Sequence, residues 1–483
     1  MSNQLYDVVV IGGGPAGVTA ALRARELGAA VALVERGLPG GTCTNDGCLP
    51  TRVLARAARL ARDARQLAAY GLSAAPPALD FAALLAHAQQ MIYTVHEKKQ
   101  IVATLQASGV DAHFTVGQAA FAGPQTLALA DGRQLEARAF IICAGGHARR
   151  LDFPGAALAL THSDVWRMRT LPRSVAVIGA AATGCQLASI FAAFGARVTL
   201  LELAPRILPG EDEAVSAALD RAFRDRGIDV VTGLSGVERI DEQDGATLRL
   251  TYQCDGARTL DVEAVVLAVG WPGNIEGLGV EAAGVQTERG YIAVDDGFRT
   301  SAPHIFAAGD ITGRMMLVQS ATSQARVAAE NAVLGGGARH RHAIVPHGGF
   351  TDPEYASVGL TEAQARSVGG CVSATVPFAA IDRAVIDSRT EGFCKLLVSP
   401  EDHRMLGAHV VGEQAVEIVH VVAAGMAAGM RVETLAELEI AYPTYTAVLG
   451  LAAREIVRQL GVMPLTREWH IFGRPHAEWE RQG

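Results

Sequence analysis

One supersecondary unit, written twice, constrains this chain more than any other feature. Residues 6–35, YDVVVIGGGPAGVTAALRARELGAAVALVE, read as strand, tight turn, helix and second strand. Val8, Val9, Val10 and Ile11 form an unbroken apolar run, as a parallel strand buried on both faces should. Gly12, Gly14 and Gly17 fill G-x-G-x-x-G, a spacing that supplies a sharp turn, a bare backbone beside a pyrophosphate and a close helix–strand contact. Glu35 ends the second strand eighteen positions after Gly17, where a carboxylate can accept from ribose hydroxyls. Residues 174–202, SVAVIGAAATGCQLASIFAAFGARVTLLE, repeat the pattern with Gly179, Ala181 and Gly184, and Glu202 again follows eighteen positions on. Ala181 puts a methyl group where phosphates approach, which loosens the second site without removing it. Glu202 favours NADH, because a carboxylate accepts from a ribose 2′-OH and repels a 2′-phosphate. Arg206 is the counter-signal: it either reaches a 2′-phosphate or pairs with the acids of PGEDE.

Two such units in 483 residues predict an α/β protein with two Rossmann-like dinucleotide-binding domains and room for more. A third nucleotide feature, TSAPHIFAAGDITG, ends an apolar strand at Asp310, whose carboxylate either binds a polyol or ribityl hydroxyl or caps the next helix. Beyond the glycine- and arginine-rich connector GGGARHRH, strands, hairpins and two helices suggest an α+β module. The expected boundaries are 1–150 and 271–343 for the two parts of a first nucleotide domain and 151–270 for the second. The α+β module takes 344–463, and 464–483 forms a tail. A net charge of −8 argues against a general nucleic-acid binder. The start has no basic leader before its apolar run, and AVEIVHVVAAGMAAGM, with Glu417 and His420, is too short to span a bilayer. Seven scattered cysteines do not make a disulfide framework, so a cytoplasmic location is expected.

Two of those cysteines stand apart. In GGTCTNDGCLPTR, residues 40–52, Cys43 and Cys48 flank four residues ahead of a helix-like run, with Pro50 in its tolerated first turn. A zinc site needs two further ligands, yet no cysteine or histidine lies between Cys48 and His87. A redox couple or two unlinked structural thiols remain. A helix N-terminus lowers a thiol pKa, so Cys48 is expected to be the thiolate and Cys43, in the loop, the thiol that meets substrate.

Taken together, the two dinucleotide units, Cys-x4-Cys, FAAGD, and FTDPE followed by VGLTE resemble the flavoprotein pyridine nucleotide–disulfide oxidoreductases, the family of lipoamide dehydrogenase, glutathione reductase and mercuric reductase. The resemblance covers roughly residues 5 to 460. It implies FAD on the first unit, with Gly12, Gly14, Pro15, Ala16, Gly17, Glu35, Arg36, Gly41, Thr42, Gly145 and Asp310 in contact. It implies NADH (or NADPH) on the second, with Gly179, Ala181, Thr183, Gly184, Glu202 and Gly270. It further implies a homodimer built by the last module, each active site completed by the partner, and a small-molecule disulfide, thiol or metal ion as substrate. No resident metal, nucleic acid or membrane is expected.

The departures from that family bear on the substrate. Arg52 and Gln186 stand where most members pair a lysine with a glutamate beside the flavin. A His-Pro-Thr-x-x-Glu stretch, whose histidine accepts the thiol proton, is here YPTYTA, with Tyr442 for the histidine and Ala447 for the glutamate. A free phenol titrates near 10 and an imidazole near 6.5, so Tyr442 is a poor base. Mercuric reductase is similar here, with tyrosine at that position and a helix like Leu451-Ala452-Ala453, but it delivers metal through a C-terminal cysteine pair that this tail lacks. Tail residues Trp469, His470, His476 and Trp479 either cover the active site or supply a base. Arg52, Arg56, Arg59, Arg62 and Arg65 form a stripe that is either a solvated helix face or a basic lip for an anionic substrate. The expected route is NADH to FAD to Cys48/Cys43 to an acceptor. The alternative is a diaphorase-like enzyme reducing quinones, metal ions or oxygen directly from FAD.

Overall fold

The computed structural model describes residues 5–462 apart from 74, 76 and 340–343, and the chain divides into two compact units. The tail 463–483, with His470 and His476, lies outside the described residues.

The larger unit takes residues 1–207 and 223–342 and holds both dinucleotide folds. In the first, the strands run Asp111–His113, Val31–Val34, Leu5–Ile11, Gln134–Ile142, and Ile305–Ala307 joins the last of these. All four pairings are parallel, with Val8 opposite both Val31 and Ala139. In the second, the order is Asp229–Thr232, Arg197–Glu202, Ser174–Ile178, Ala264–Leu267, Leu160–Thr161, again parallel. Strands Val31–Val34, Ser174–Ile178 and Ala264–Leu267 are buried at every position, so the unbroken apolar runs have helices or hairpins on both faces.

The two turns match group by group. A methyl group added at Gly17 would lie 1.7 Å from the Gly12 carbonyl oxygen, and one at Gly184 would lie 1.8 Å from that of Gly179. Gly12 and Gly179, with φ of +113° and +98°, each back onto a carbonyl of the neighbouring strand end, Cys143 and Ala268. The middle position is different. Gly14 and Ala181 share extended backbone, φ −76° and −78°, and Ala181 is exposed. Its methyl group therefore strains nothing; it only occupies space at the mouth of the helix.

The smaller unit takes 208–222 and 343–483. Its sheet is antiparallel, ordered His347–Gly349, Tyr355–Gly359, Met405–Val411, Phe393–Val398, Val372–Pro377. Helices Ala415–Ala427 and Ala447–Leu460 bury Val419, Val422, Ala452 and Ile456 against it. Lys395, 6% exposed, is held by Asp212 (2.8 Å) and Glu362 (2.6 Å) and pins the 208–222 segment to this sheet. Among the described residues no helix is long and apolar enough to cross a membrane.

The contrast between the outer and middle glycines is testable by thermal melts. Gly17→Ala is expected to lose about 1–3 kcal/mol through overpacking against the Gly12 carbonyl, whereas Ala181→Gly is expected to leave the melting temperature within about one degree of wild type.

Candidate active site

The loop that carries Cys43 and Cys48 is built onto the first glycine turn. Gly40 (φ +100°) donates its N–H to the Gly13 carbonyl at 2.9 Å, and a methyl group on Gly41 (φ +60°) would come within 2.8 Å of the Gly14 Cα. Only two facing glycine backbones allow that approach. From it, a short helix Gly41–Asn45 carries Thr42 and Cys43, and a long helix, Cys48–Ala64, opens at Cys48 with Pro50 in its first turn.

Neither thiol is in a disulfide; Cys43 is half-buried and Cys48 exposed. Interaction with the Cys48 thiol, helped by the Lys99 charge and opposed by desolvation and by Asp310, lowers the Cys43 pKa to about 7. The same interaction and desolvation push the Cys48 thiol up. The sequence reading put the thiolate on Cys48 at its helix N-terminus, where the helix start and the neighbouring sulfur act on it in opposite directions. Two interacting sulfurs titrate as a pair.

The three residues after Cys43 are each gripped from outside the loop. Thr44, buried, accepts from Lys99 Nζ at 2.9 Å, and Asn45 Oδ1 meets His96 Nε2 at 2.6 Å, both partners coming from the last turn of the helix Phe81–Lys99. Asp46 accepts from the Ser163 hydroxyl through its carboxylate and from the Trp166 indole N–H through its carbonyl, the latter at 2.7 Å. His162, 7% exposed, puts Nε2 3.7 Å from the Asp46 carboxylate and packs its ring on Trp271 at 5.1 Å. Burial lowers its pKa, against the pull of Asp46 and Asp164. Ser163 also lines a cleft of about 680 Å³ with Arg149, Arg150, Thr161 and Asp164, so the Asp46 side of the loop borders open space.

Asp310 arrives from the strand Ile305–Ala307 through Gly309 (φ +83°), whose added methyl would touch Ala16 at 3.2 Å and Ala321 at 3.4 Å. Gly309 donates to Gln324 at 2.8 Å. Asp310 is the first residue of a short 3-10 turn that Gly309 caps, so it is not the helix cap that residue type alone allowed. Burial raises its pKa; the Trp271 indole nitrogen opposes the shift from nearby without a well-formed hydrogen bond.

At the far end of the first turn a narrow cavity is lined by Gly12, Glu35, Arg36, Gln118, Ala144 and Asn274. The Glu35 carboxylate accepts from the N–H groups of Gly13 (2.6 Å) and Gly37 (2.8 Å), and Glu202 does the same with Ala180 (2.6 Å) and Ala204 (2.9 Å). Each acid therefore also fastens its own glycine turn, a role the spacing did not reveal. Pro15 opens the first helix, with Ala16 and Gly17 buried behind it. Gly145 (φ +68°) faces Asn274, whose amide donates to Ala144 at 2.7 Å. On the second fold Ala181 and Thr183 are exposed at the helix mouth, Gly184 is buried, and Gly270 (φ +127°) lies beside the Arg149 side chain. A bare glycine turn, a cavity at the strand ends and a buried acid beside the cysteines fit an extended dinucleotide such as FAD. The second turn offers a similar, more open frame for a nicotinamide cofactor.

Arg52 and Gln186 stand near the starts of two helices that pack together, Cys48–Ala64 and Ala182–Ala193. Gln186 donates to Ala182 within its own helix at 3.0 Å, and one Arg52 nitrogen is buried. The arginine stripe is uneven: Arg56 and Arg65 are exposed, whereas Arg62 pairs with Asp63 at 2.9 Å. In the smaller unit Tyr442 is 77% exposed and donates its phenol to Asp382 at 2.7 Å, which raises its pKa further from the neutral range. Neighbouring Tyr445 is buried and donates to Asp387 at 2.9 Å. Ala447 opens the last helix.

Residues 6–325 match the family described as pyridine nucleotide-disulphide oxidoreductase, and residues 345–453 match its dimerisation domain. The chain is 32% identical over 464 residues to dihydrolipoyl dehydrogenase of Chlorobaculum tepidum, covering 94% of this chain and 98% of that protein. It is also 32% identical over 455 residues to mercuric reductase of Bacillus cereus, covering 93% of this chain and 71% of that one. Among solved structures, the HOCl-induced flavoprotein disulfide reductase RclA from Escherichia coli aligns with a TM-score of 0.83 at 28% identity, over 93% of this chain and 99% of that one. Its Cu(II) complex aligns with the same score.

The lowered Cys43 pKa sets an expected reactivity. In the reduced protein, alkylation of Cys43 by iodoacetamide should rise with pH through an inflection near 7, because only the thiolate reacts. Cys48 should be labelled far more slowly across that range. Peptide mass spectrometry of labelled samples reads both rates.

Proposed function

Because the chain belongs to the pyridine nucleotide–disulphide oxidoreductases, which use FAD and NAD(P)H, we propose that it carries electrons from NADH through FAD to Cys43 and Cys48 and on to a disulfide or a soft metal ion. The observation that carries this reading is the docking of the Cys43–Cys48 loop on the glycine turn beside Asp310. FAD, when bound, takes a hydride from the nicotinamide and passes on an electron pair. The turn Gly12–Gly17, Glu35, Arg36, Gly41, Thr42, Gly145 and Asp310 would hold it. Gly179, Ala181, Thr183, Gly184, Glu202 and Gly270 would hold NADH, with Glu202 as the discriminator against NADPH.

With a disulfide acceptor, the Cys43 thiolate attacks one sulfur and expels the other as thiolate, leaving a mixed disulfide. Cys48, once deprotonated, attacks Cys43 and releases the second acceptor thiolate, so two electrons leave and the Cys43–Cys48 bond forms. Tyr442 would face this chemistry across a homodimer interface made by the C-terminal module. A phenol that donates to Asp382 is not a base at neutral pH, which suits an acceptor needing no proton abstraction, such as a thiolate-bound metal ion. The Cu(II) complex of RclA and the mercuric reductase relative support that acceptor class. Arg52 replaces the family's lysine near the flavin and would keep a fixed positive charge there; Gln186 is its neutral counterpart. The same lack of a base favours a second reading, in which quinones, metal ions or oxygen are reduced directly from FAD.

Cys43→Ser separates the two: turnover of the true acceptor should vanish under the dithiol route, and its survival would establish the direct one. If the missing base limits dithiol exchange, Tyr442→His combined with Ala447→Glu should raise dihydrolipoamide oxidation by about a hundredfold near pH 8, measured as NADH formation. Unchanged activity would show that the base is not what limits it.

A further inference from the structure

The loop between the cysteines has a cation attached to it that none of the expected site residues accounts for. Lys99 is the last residue of the helix Phe81–Lys99, and its ammonium donates to the buried Thr44 hydroxyl at 2.9 Å, one residue from Cys43. Its neighbour on the same helical turn, His96, meets Asn45 at 2.6 Å, so the helix end both holds the loop and carries a charge to it. The charged and titratable groups that act on Cys43 include Cys48 at the start of the next helix, Lys99 from this helix and Asp310, which follows the strand Ile305–Ala307. Asp46 and His162 stand behind the loop, and the Asp46 carboxylate is engaged by Ser163. Lys99 is thus a cation that acts on the Cys43 sulfur from the end of a helix outside the loop.

We propose that Lys99 is a positioning residue for the interchange thiol: it fixes the loop through Thr44 and stabilises the Cys43 thiolate electrostatically, preparing the nucleophile without a neighbouring imidazole. A permanent cation favours the charged sulfur before the acceptor arrives, whereas a base would remove its proton during the reaction. The proton that leaves the Cys43 thiol goes to solvent. This rests on the reading that Cys43 attacks the acceptor, but its signature is read on the thiol itself.

The test is the pH profile of Cys43 alkylation in the reduced, FAD-loaded enzyme under anaerobic conditions, comparing wild type with Lys99→Met, Lys99→Gln and Lys99→Arg. Lys99→Met should move the inflection upward, slowing labelling about three- to tenfold near pH 6, with the rates converging at about pH 9. Lys99→Arg should keep the wild-type profile, and Lys99→Gln should follow Lys99→Met and stand in for it if that variant loses FAD. An unmoved inflection in Lys99→Met or Lys99→Gln, or a uniform slowing at every pH, would overturn the proposal. So would a Lys99→Arg profile matching that of Lys99→Met. Turnover that survives Cys43→Ser would sink the dithiol reading alone, since the alkylation profile does not depend on turnover.

Discussion

Much of this architecture depends on how closely backbones approach where glycines meet. Gly17 lies against the Gly12 carbonyl and Gly41 against Gly14, with no room for a methyl group at either contact. The first contact sets the helix Pro15–Glu26 on its strand; the second seats the cysteine loop on the same turn. Under the proposed function, a dinucleotide on that turn would come to the two sulfurs without any side chain having to span the gap. The second fold repeats the first contact, through Gly184 and Gly179, but among the described residues has no counterpart of the Gly41 docking.

Electrostatics then bears on the two cysteines. A helix N-terminus favours a thiolate at Cys48, while interaction with Cys48 and the Lys99 charge lower the Cys43 pKa and Asp310 works against that. The proposed route asks Cys43 to act as the nucleophile without a neighbouring imidazole, and Tyr442 serves as a hydrogen-bond donor to Asp382.

The fold was largely legible because its signals are local. Apolar runs such as Val8–Ile11, glycines at fixed spacing and a terminal acid specify each Rossmann unit, and the chain places them as expected. The placement of the Cys43–Cys48 loop ahead of a helix and of Asp310 at a strand end was legible for the same reason. What the sequence concealed was assembled from distant segments. Lys99, His96, His162 and Trp271 carry no motif, and only the packing of their elements brings them to the loop or beside Asp310. The groups acting on the thiols were hidden for a related reason: helix position is readable from sequence, whereas a neighbouring sulfur's influence and a remote lysine are not. The polar run Thr44-Asn45-Asp46 was the available hint, since three such residues on a tight loop must each find a partner.

The central claim is that the two cysteines store electrons in series with the flavin. Anaerobic titration of the FAD-loaded protein with dithionite measures this directly. Full reduction should consume four electrons per subunit, two for the flavin and two for the Cys43–Cys48 disulfide. Uptake of only two, with both thiols still locked against alkylation, would contradict the account.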